Sequence, residues 1–222
     1  MLSRVQIENF YAIRDEQVID LRADRHAPDA AGRLAAPWGG SDERVPKVVA
    51  LFGANASGKS NVPKALGFLG WLVADSFSTP PDAPIPFAHF NGHEAHNQPT
   101  RLAVHFEGPK NPASVGDADA AQCRYAYEVA LFAGGVTKIL GEGLYYWPAH
   151  ASRRVRLFER DESGEVTAGK AFGLGELRQE LKRLQSNASV ISTLARFGHP
   201  LSTVIRHKAT LVVSNIALER RT

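Results

Sequence analysis

The 222-residue sequence has a single cysteine, Cys123. That excludes an intramolecular disulfide and a cysteine-built metal cluster, and it fits a reducing, cytoplasmic setting. Long apolar runs are missing too. The richest stretch, ALGFLGWLVADSF over 65–77, is too short to span a membrane and reads as a buried helix. The first residues, MLSRVQIENFYAIRDEQ, carry charges throughout and lack the apolar centre of a secretion signal. Neither charge sign dominates. With 26 Lys and Arg against 23 Asp and Glu, the formal charge is +3. That demands no nucleic-acid partner and leaves room for a local basic patch. No internal repeat is visible. What remains, 44% hydrophobic and 22% charged residues, suits a soluble chain with one sizeable core, or a domain with an appended lobe.

Hydrophobic periodicity divides the chain. RVQIENF and EQVIDL, with Val5, Ile7, Phe10, Val18 and Ile19, read as an opening hairpin turning at 11–15. Residues 22–46 are rich in Ala, Asp, Arg, Gly and Pro and read as a long surface loop. KVVALF is apolar without alternation, which predicts a strand covered on both faces, as in a parallel or mixed α/β sheet. The segment after the glycine loop is helical, with Val62, Leu66, Leu69 and Val73 on one face, and STPPDAPIPF ends it. Residues 100–160 read as strands, with Gly134-Gly135 as a hairpin signal. From Leu174 the period turns helical: Leu177, Leu181 and Leu184 form a stripe, and ASVISTLARF continues as a second helix.

The stretch most informative about function is LFGANASGKSN, 51–61. Gly53-Ala54-Asn55-Ala56-Ser57-Gly58-Lys59-Ser60 has the spacing of a loop whose main-chain N–H groups wrap a chain of phosphates. Gly53 and Gly58 permit the turn and the close approach of backbone to ligand. Lys59 supplies a cation for the β- and γ-phosphates, and so the catalytic charge. Ser60 offers a hydroxyl to Mg²⁺. The following helix aims its positive end at the anion. Pro63 is the discordant residue: harmless in a first turn, it costs on the order of 3 kcal/mol further in.

These residues carry a family resemblance. IENF, VIDL and VVALFGANASGKSN followed by KAL resemble the ATPase heads of the ABC plan, among them the SMC, RecF and OLD groups. The text looks closest to OLD-like "AAA family ATPases", many of which serve phage defence; Asn61 after the serine is typical of them. The likeness is strong over 1–70 and weaker beyond, where PFAHF, TRLAVHF, YAYEVAL and LGEGLYYW are similar to the family's β-rich lobe.

The resemblance implies an α/β P-loop head with a mixed sheet, in three parts: a P-loop core over 1–99 with an insertion at 22–46, a β-rich antiparallel lobe over 100–172, and a helical segment over 173–222. It implies ATP and Mg²⁺ as cofactors, contacts from Gly53 to Asn61, and a homodimer or a partner ATPase or effector chain, with roles in phage defence or DNA repair. The departures are specific. The family's Asp-Glu pair ending a second buried strand is not found, since ATLVVSNIALE has Ser214-Asn215 there. No Ser-Gly-Gly signature occurs, and Tyr11 stands where relatives often carry a basic residue. The chain therefore reads as the N-terminal half of such an ATPase, hydrolysing ATP only when completed. The alternative is a nucleotide-binding module without catalysis, or a truncated gene product.

Two further patterns have plain readings. His89, His93 and His96 fall in a loop with no second cluster, so a solvated loop outweighs zinc. Arg153, Arg154 and Arg156 would touch a nucleic-acid backbone if exposed, or form the wet face of a sheet.

Overall fold

Alternation of apolar and polar residues builds the sheet that organises the molecule. The computed structural model describes residues 1–29, 31–81, 83–92, 94–113, 115, 121–132, 137–148 and 151–211. Strand β1, Leu2–Glu8, buries every second side chain, Ser3, Val5 and Ile7. It pairs with β2, Gln17–Asp20, through a tight turn in which Phe10 and Ile13 exchange main-chain hydrogen bonds of 2.8 and 2.9 Å. The 22–46 segment is loop apart from one short ladder between β3, Leu34–Ala35, and β4, Val45–Pro46. Helix α1, Asn61–Asp75, follows the glycine loop. The chain then returns as β5, Thr100–Pro109, directly beside β1. Next come β6, Gln122–Phe132, β7, Lys138–Tyr146, β8, Val155–Arg160, and β9, Val166–Ala168. The seven strands lie in the order β2-β1-β5-β6-β7-β8-β9, and every pairing is antiparallel. The expected mixed sheet is thus an antiparallel one among the described residues. The Gly134-Gly135 hairpin signal lies outside them.

Two helices close the chain's described part, α2, Val190–Arg196, and α3, Pro200–Thr210. Together with α1 they share one core with the sheet: Val5, Ile7, Leu102, Val104, Tyr127 and Val129 from the strands, Phe68 and Leu72 from α1, Ile191 and Leu194 from α2, Leu201 and Ile205 from α3. The buried side of α1 centres on Ala65, Phe68 and Leu72, with Leu69 and Val73 beside them. Val62 and Leu66 are only half-buried, so the stripe is turned from the one periodicity suggested. The leucine stripe at 174–184 forms a short 3₁₀ segment, Gly175–Arg183, rather than an α-helix. Gly173 and Gly175, at φ +68° and +52°, break the chain direction at its start, and within it only Leu181 is buried.

Two polar anchors fix the helices to the sheet. Glu142 on β7 is buried and accepts from Tyr127 Oη at 3.0 Å and from Val190 N, the first residue of α2, at 2.8 and 3.1 Å. Arg160 donates to the carbonyls of Ala188 (2.9 Å) and Gln185 (3.0 Å), holding the entry to α2. His199 caps α3. Its Nε2 lies 2.7 Å from the Phe172 carbonyl, which can only accept, so Nε2 carries the proton and Nδ1 accepts from Ser202 N at 3.2 Å.

Burial holds His199 below the usual histidine range, and burial followed by Arg4, Arg124 and Arg22 holds His105 down to about 4. The folded state therefore keeps both neutral where the unfolded chain takes up protons. Their contribution is complete above the ordinary value of 6.5 and is lost as pH falls below it, for His105 down to about 4. Glu142, pushed up by burial to about 6, works the opposite way between its ordinary 4.5 and 6. Two histidines against one carboxyl give a net loss. The urea midpoint is expected to fall between pH 7 and pH 5, and His199→Asn, which keeps a capping oxygen but no titrating ring, should reduce the slope.

Candidate functional site

The approach to the glycine loop departs from expectation. Residues 47–52 form no strand. Lys47 N bonds the Arg33 carbonyl at 2.9 Å, and beyond it Val48 and Phe52 are 84% and 91% exposed, with Val49 and Leu51 also open. A strand covered on both faces needs a neighbour on each side, and no described strand pairs with this segment.

The loop itself lies on an open surface, with Gly53, Ala54, Asn55, Ala56 and Ser57 exposed and Gly58 and Lys59 half-buried. Lys59 curls back over it. Its Nζ donates to the Gly53 carbonyl at 2.8 Å and to the Ala54 carbonyl, and lies 3.4 Å from Ser57 Oγ. Ser57 N bonds the Ala54 carbonyl and Asn61 N the Gly58 carbonyl. The N–H groups of Gly58, Lys59 and Ser60 have no partner among the described residues. Ser60 is the N-cap residue of α1, yet its hydroxyl makes no capping bond. Asn61 is the first helical residue and is buried. Pro63 is then the third residue of the helix, inside the first turn, where an N–H would have no intrahelical acceptor. The discordance noted in the sequence disappears.

Backbone strain gathers here. Four described residues other than glycine have positive φ, and three belong to this region: Asn9 (+50°), Tyr11 (+51°) and Ala56 (+63°). Gly58 stands at +88°. A bulky ring such as Tyr11 in the left-handed region is a genuine outlier. Such outliers persist only where surroundings over-determine them, and they cluster at functional sites. The surroundings are visible. Ile13 packs under the loop, its Cγ1 3.3 Å from where a Gly58 Cβ would stand, and Lys64 Nζ sits 4.1 Å above the Tyr11 ring. Asn9, within IENF, gives no periodic signal in the sequence. It is buried, its Nδ2 donates to the carbonyls of Ala95 (3.0 Å) and Gln98 (2.8 Å), its Oδ1 accepts from Phe90 N (3.0 Å), and its carbonyl accepts from Thr100 Oγ1 (2.5 Å).

The remaining candidates lie elsewhere. His89 and His96 stack with ring centroids 4.2 Å apart, and His93 is outside the described residues, among which no metal-holding group of three forms. Arg154 pairs with Glu128 and covers the Tyr145 ring at 3.9 Å, while Arg156 pairs with Glu159 at 3.0 Å. Two of the three arginines are thus neutralised on the sheet's outer face. An acidic pair, Asp161-Glu162, does follow β8, but Asp161 Oδ1 accepts from Ser163 N, Ser163 Oγ and Glu165 N, so it builds the β8–β9 turn. Ser214-Asn215 lies outside the described residues. No described helix is long and apolar enough to cross a membrane.

No family model and no curated protein matches this chain. A solved structure from work on "Structural biochemistry of ATP-driven dimerization and DNA stimulated activation of SMC ATPases" is similar over 94% of this chain and 98% of that one, at 15% identity and a TM-score of 0.32. A likeness of that size leaves function to be argued from this chain's own residues.

Gly58→Ala is expected to cost about 1–2 kcal/mol, since a Cβ at this φ is strained and must also displace Ile13. Pro63→Ala should change stability by less than about 1 kcal/mol, because no helical hydrogen bond is gained. Urea unfolding of the two variants reads both.

Proposed function

We propose that this chain is the ATP-binding part of an ABC- or SMC-like ATPase of the OLD-like kind, serving phage defence or DNA repair. In this reading Gly53 to Asn61 form the phosphate-binding loop. The observation that carries the proposal is the Lys59 ammonium held against the carbonyls of Gly53 and Ala54, beside the unpartnered amides of Gly58, Lys59 and Ser60. An anion would receive those amides directly, and a phosphate oxygen would replace the carbonyls as the lysine's acceptor. The residues fit the cofactors: the uncommitted Ser60 hydroxyl is a hard oxygen suited to Mg²⁺. Bound MgATP would supply the phosphoryl group. The chain's part is to grip and neutralise it, with Lys59 as the catalytic cation.

Hydrolysis needs more than these residues. Among the described residues no hydrogen bond or ion pair joins a carboxylate to Lys59, and Gly53 to Ser57 are exposed. The exposed apolar segment at 47–52 supports the same conclusion, since strands from further polypeptide, in cis or from a dimer partner, would cover it. In this reading 1–99 is the P-loop core, 100–172 the β-rich lobe and 173–222 the helical link to the completing half.

Purified chain is expected to bind MgATP by calorimetry and to hydrolyse none above background. Lys59→Ala should weaken binding about tenfold or more, the scale of a lost charge-assisted contact. Absence of any MgATP association in the unmodified chain would overturn the proposal. Turnover sensitive to Lys59→Ala would show instead that the chain suffices for hydrolysis.

A further inference from the structure

A second place on the molecule has the makings of a ligand site, and it is remote in sequence from the glycine loop. Where the 22–46 insertion meets the ends of β5, β6 and β7, a cleft of about 630 Å³ is lined by Trp38 and Trp147, with Arg25, Lys110 and Arg124 among its walls. Its size is that of a small-ligand site. Both indoles are half-buried, so each retains accessible ring surface. Trp147 is braced from within: the Arg124 guanidinium lies 5.2 Å from its ring centroid and His105 5.5 Å from it. Arg124 is itself fixed by pairing with Glu43. A braced indole is a platform, because stacking on it orders little further side chain.

Two observations support a polar ligand there. Arg124 Nε and Glu43 Oε2 are both buried and have no hydrogen-bond partner, although the two residues face each other in the cleft wall. Buried polar atoms left this way call for a water or a ligand. The local charge is also positive on balance. The lining carries Arg25, Lys110 and Arg124 against Asp42 and Glu43, Glu43 is further shared with Arg22, and Arg25 and Lys110 are exposed cations in the same lining as the indoles. An aromatic platform flanked by cations takes a flat heteroaromatic ring carrying phosphate.

We propose that this cleft binds a nucleotide unit, its base stacked on the indoles and its phosphate against Arg25 and Lys110. The unit is either a free mononucleotide or one residue of a single strand. The proposal is independent of the glycine loop.

The test uses the full chain carrying Lys59→Ala, without magnesium, so that the loop's share of phosphate binding is reduced and the tryptophan variants report the cleft. AMP and a short oligothymidylate are titrated separately, with tryptophan fluorescence and affinity as readouts. Saturable quenching is expected. Trp38→Leu and Trp147→Leu should each weaken binding about tenfold. Arg25→Glu combined with Lys110→Glu, at exposed positions that leave folding intact, should weaken it and flatten its salt dependence. Trp71→Phe, in α1 away from the cleft, should leave affinity unchanged. Response to AMP assigns a mononucleotide, and response to the oligonucleotide alone assigns a strand. Silence to both ligands, or affinity undiminished by the tryptophan changes and the double charge reversal, overturns the proposal.

Discussion

Asn9 is the constraint on which the candidate site rests. It ends β1 in the left-handed region, and its side chain and carbonyl bind Phe90, Ala95, Gln98 and Thr100, residues 81 to 91 positions away. Asparagine is among the few side chains that tolerate this φ and can also both donate and accept. The consequence reaches in two directions. Toward β5, the bonds to 90–100 set the start of the strand that lies beside β1. Toward the loop, the same turn presents Tyr11 to Lys64 and Ile13 to Gly58. The position of the glycine loop over the sheet is therefore settled by a residue outside the loop.

Local patterns were readable to the extent that their physics is local. The hairpin of β1 and β2, the alternating strands of 100–160 and helix α2 depend on near neighbours, and periodicity marks them, whereas α3 was not read from the sequence. The leucine stripe at 174–184 misled because spacing of three and four serves both helix types, and the left-handed glycines at 173 and 175 are not legible as such in the text. KVVALF misled for a different reason. Its apolar composition reports what the segment is suited to, a position between two strands, and composition does not supply those neighbours. Asn9 was hidden altogether: its partners are distant, and a single buried asparagine has no periodicity.

The glycine loop was legible as a spacing and is intelligible as a structure, but the two do not say the same thing. Spacing alone put a cation and a hydroxyl at fixed offsets. Coordinates add that the cation rests on the loop's own carbonyls, that the hydroxyl is uncommitted, and that Ala56 and Gly58 hold positive φ. A lysine held by exposed carbonyls and one hydroxyl gives up little when an anion arrives, since those oxygens recover water. A lysine salt-bridged to a carboxylate would have to lose a charged partner first. On the proposed reading, readiness for an anion follows from what Lys59 lacks among the described residues, an ion-paired carboxylate, as much as from what it touches.

The open segment runs directly into the loop that carries the strain. Burying an exposed Val, Leu or Phe side chain is worth roughly 1.5–3 kcal/mol. Val48, Val49, Leu51 and Phe52 thus hold several kcal/mol that the described residues do not realise, a large share of the 5–15 kcal/mol by which domains are stable. Polypeptide covering these side chains would also fix the chain immediately ahead of Gly53, whose carbonyl is one of the lysine's two main-chain acceptors. If the loop takes an anion as proposed, ordering that entry would reduce the entropy lost on binding, and covering the segment and gripping the anion would then favour one another by the same factor. Association and phosphate binding would be coupled through six residues of backbone, with no relay through the core.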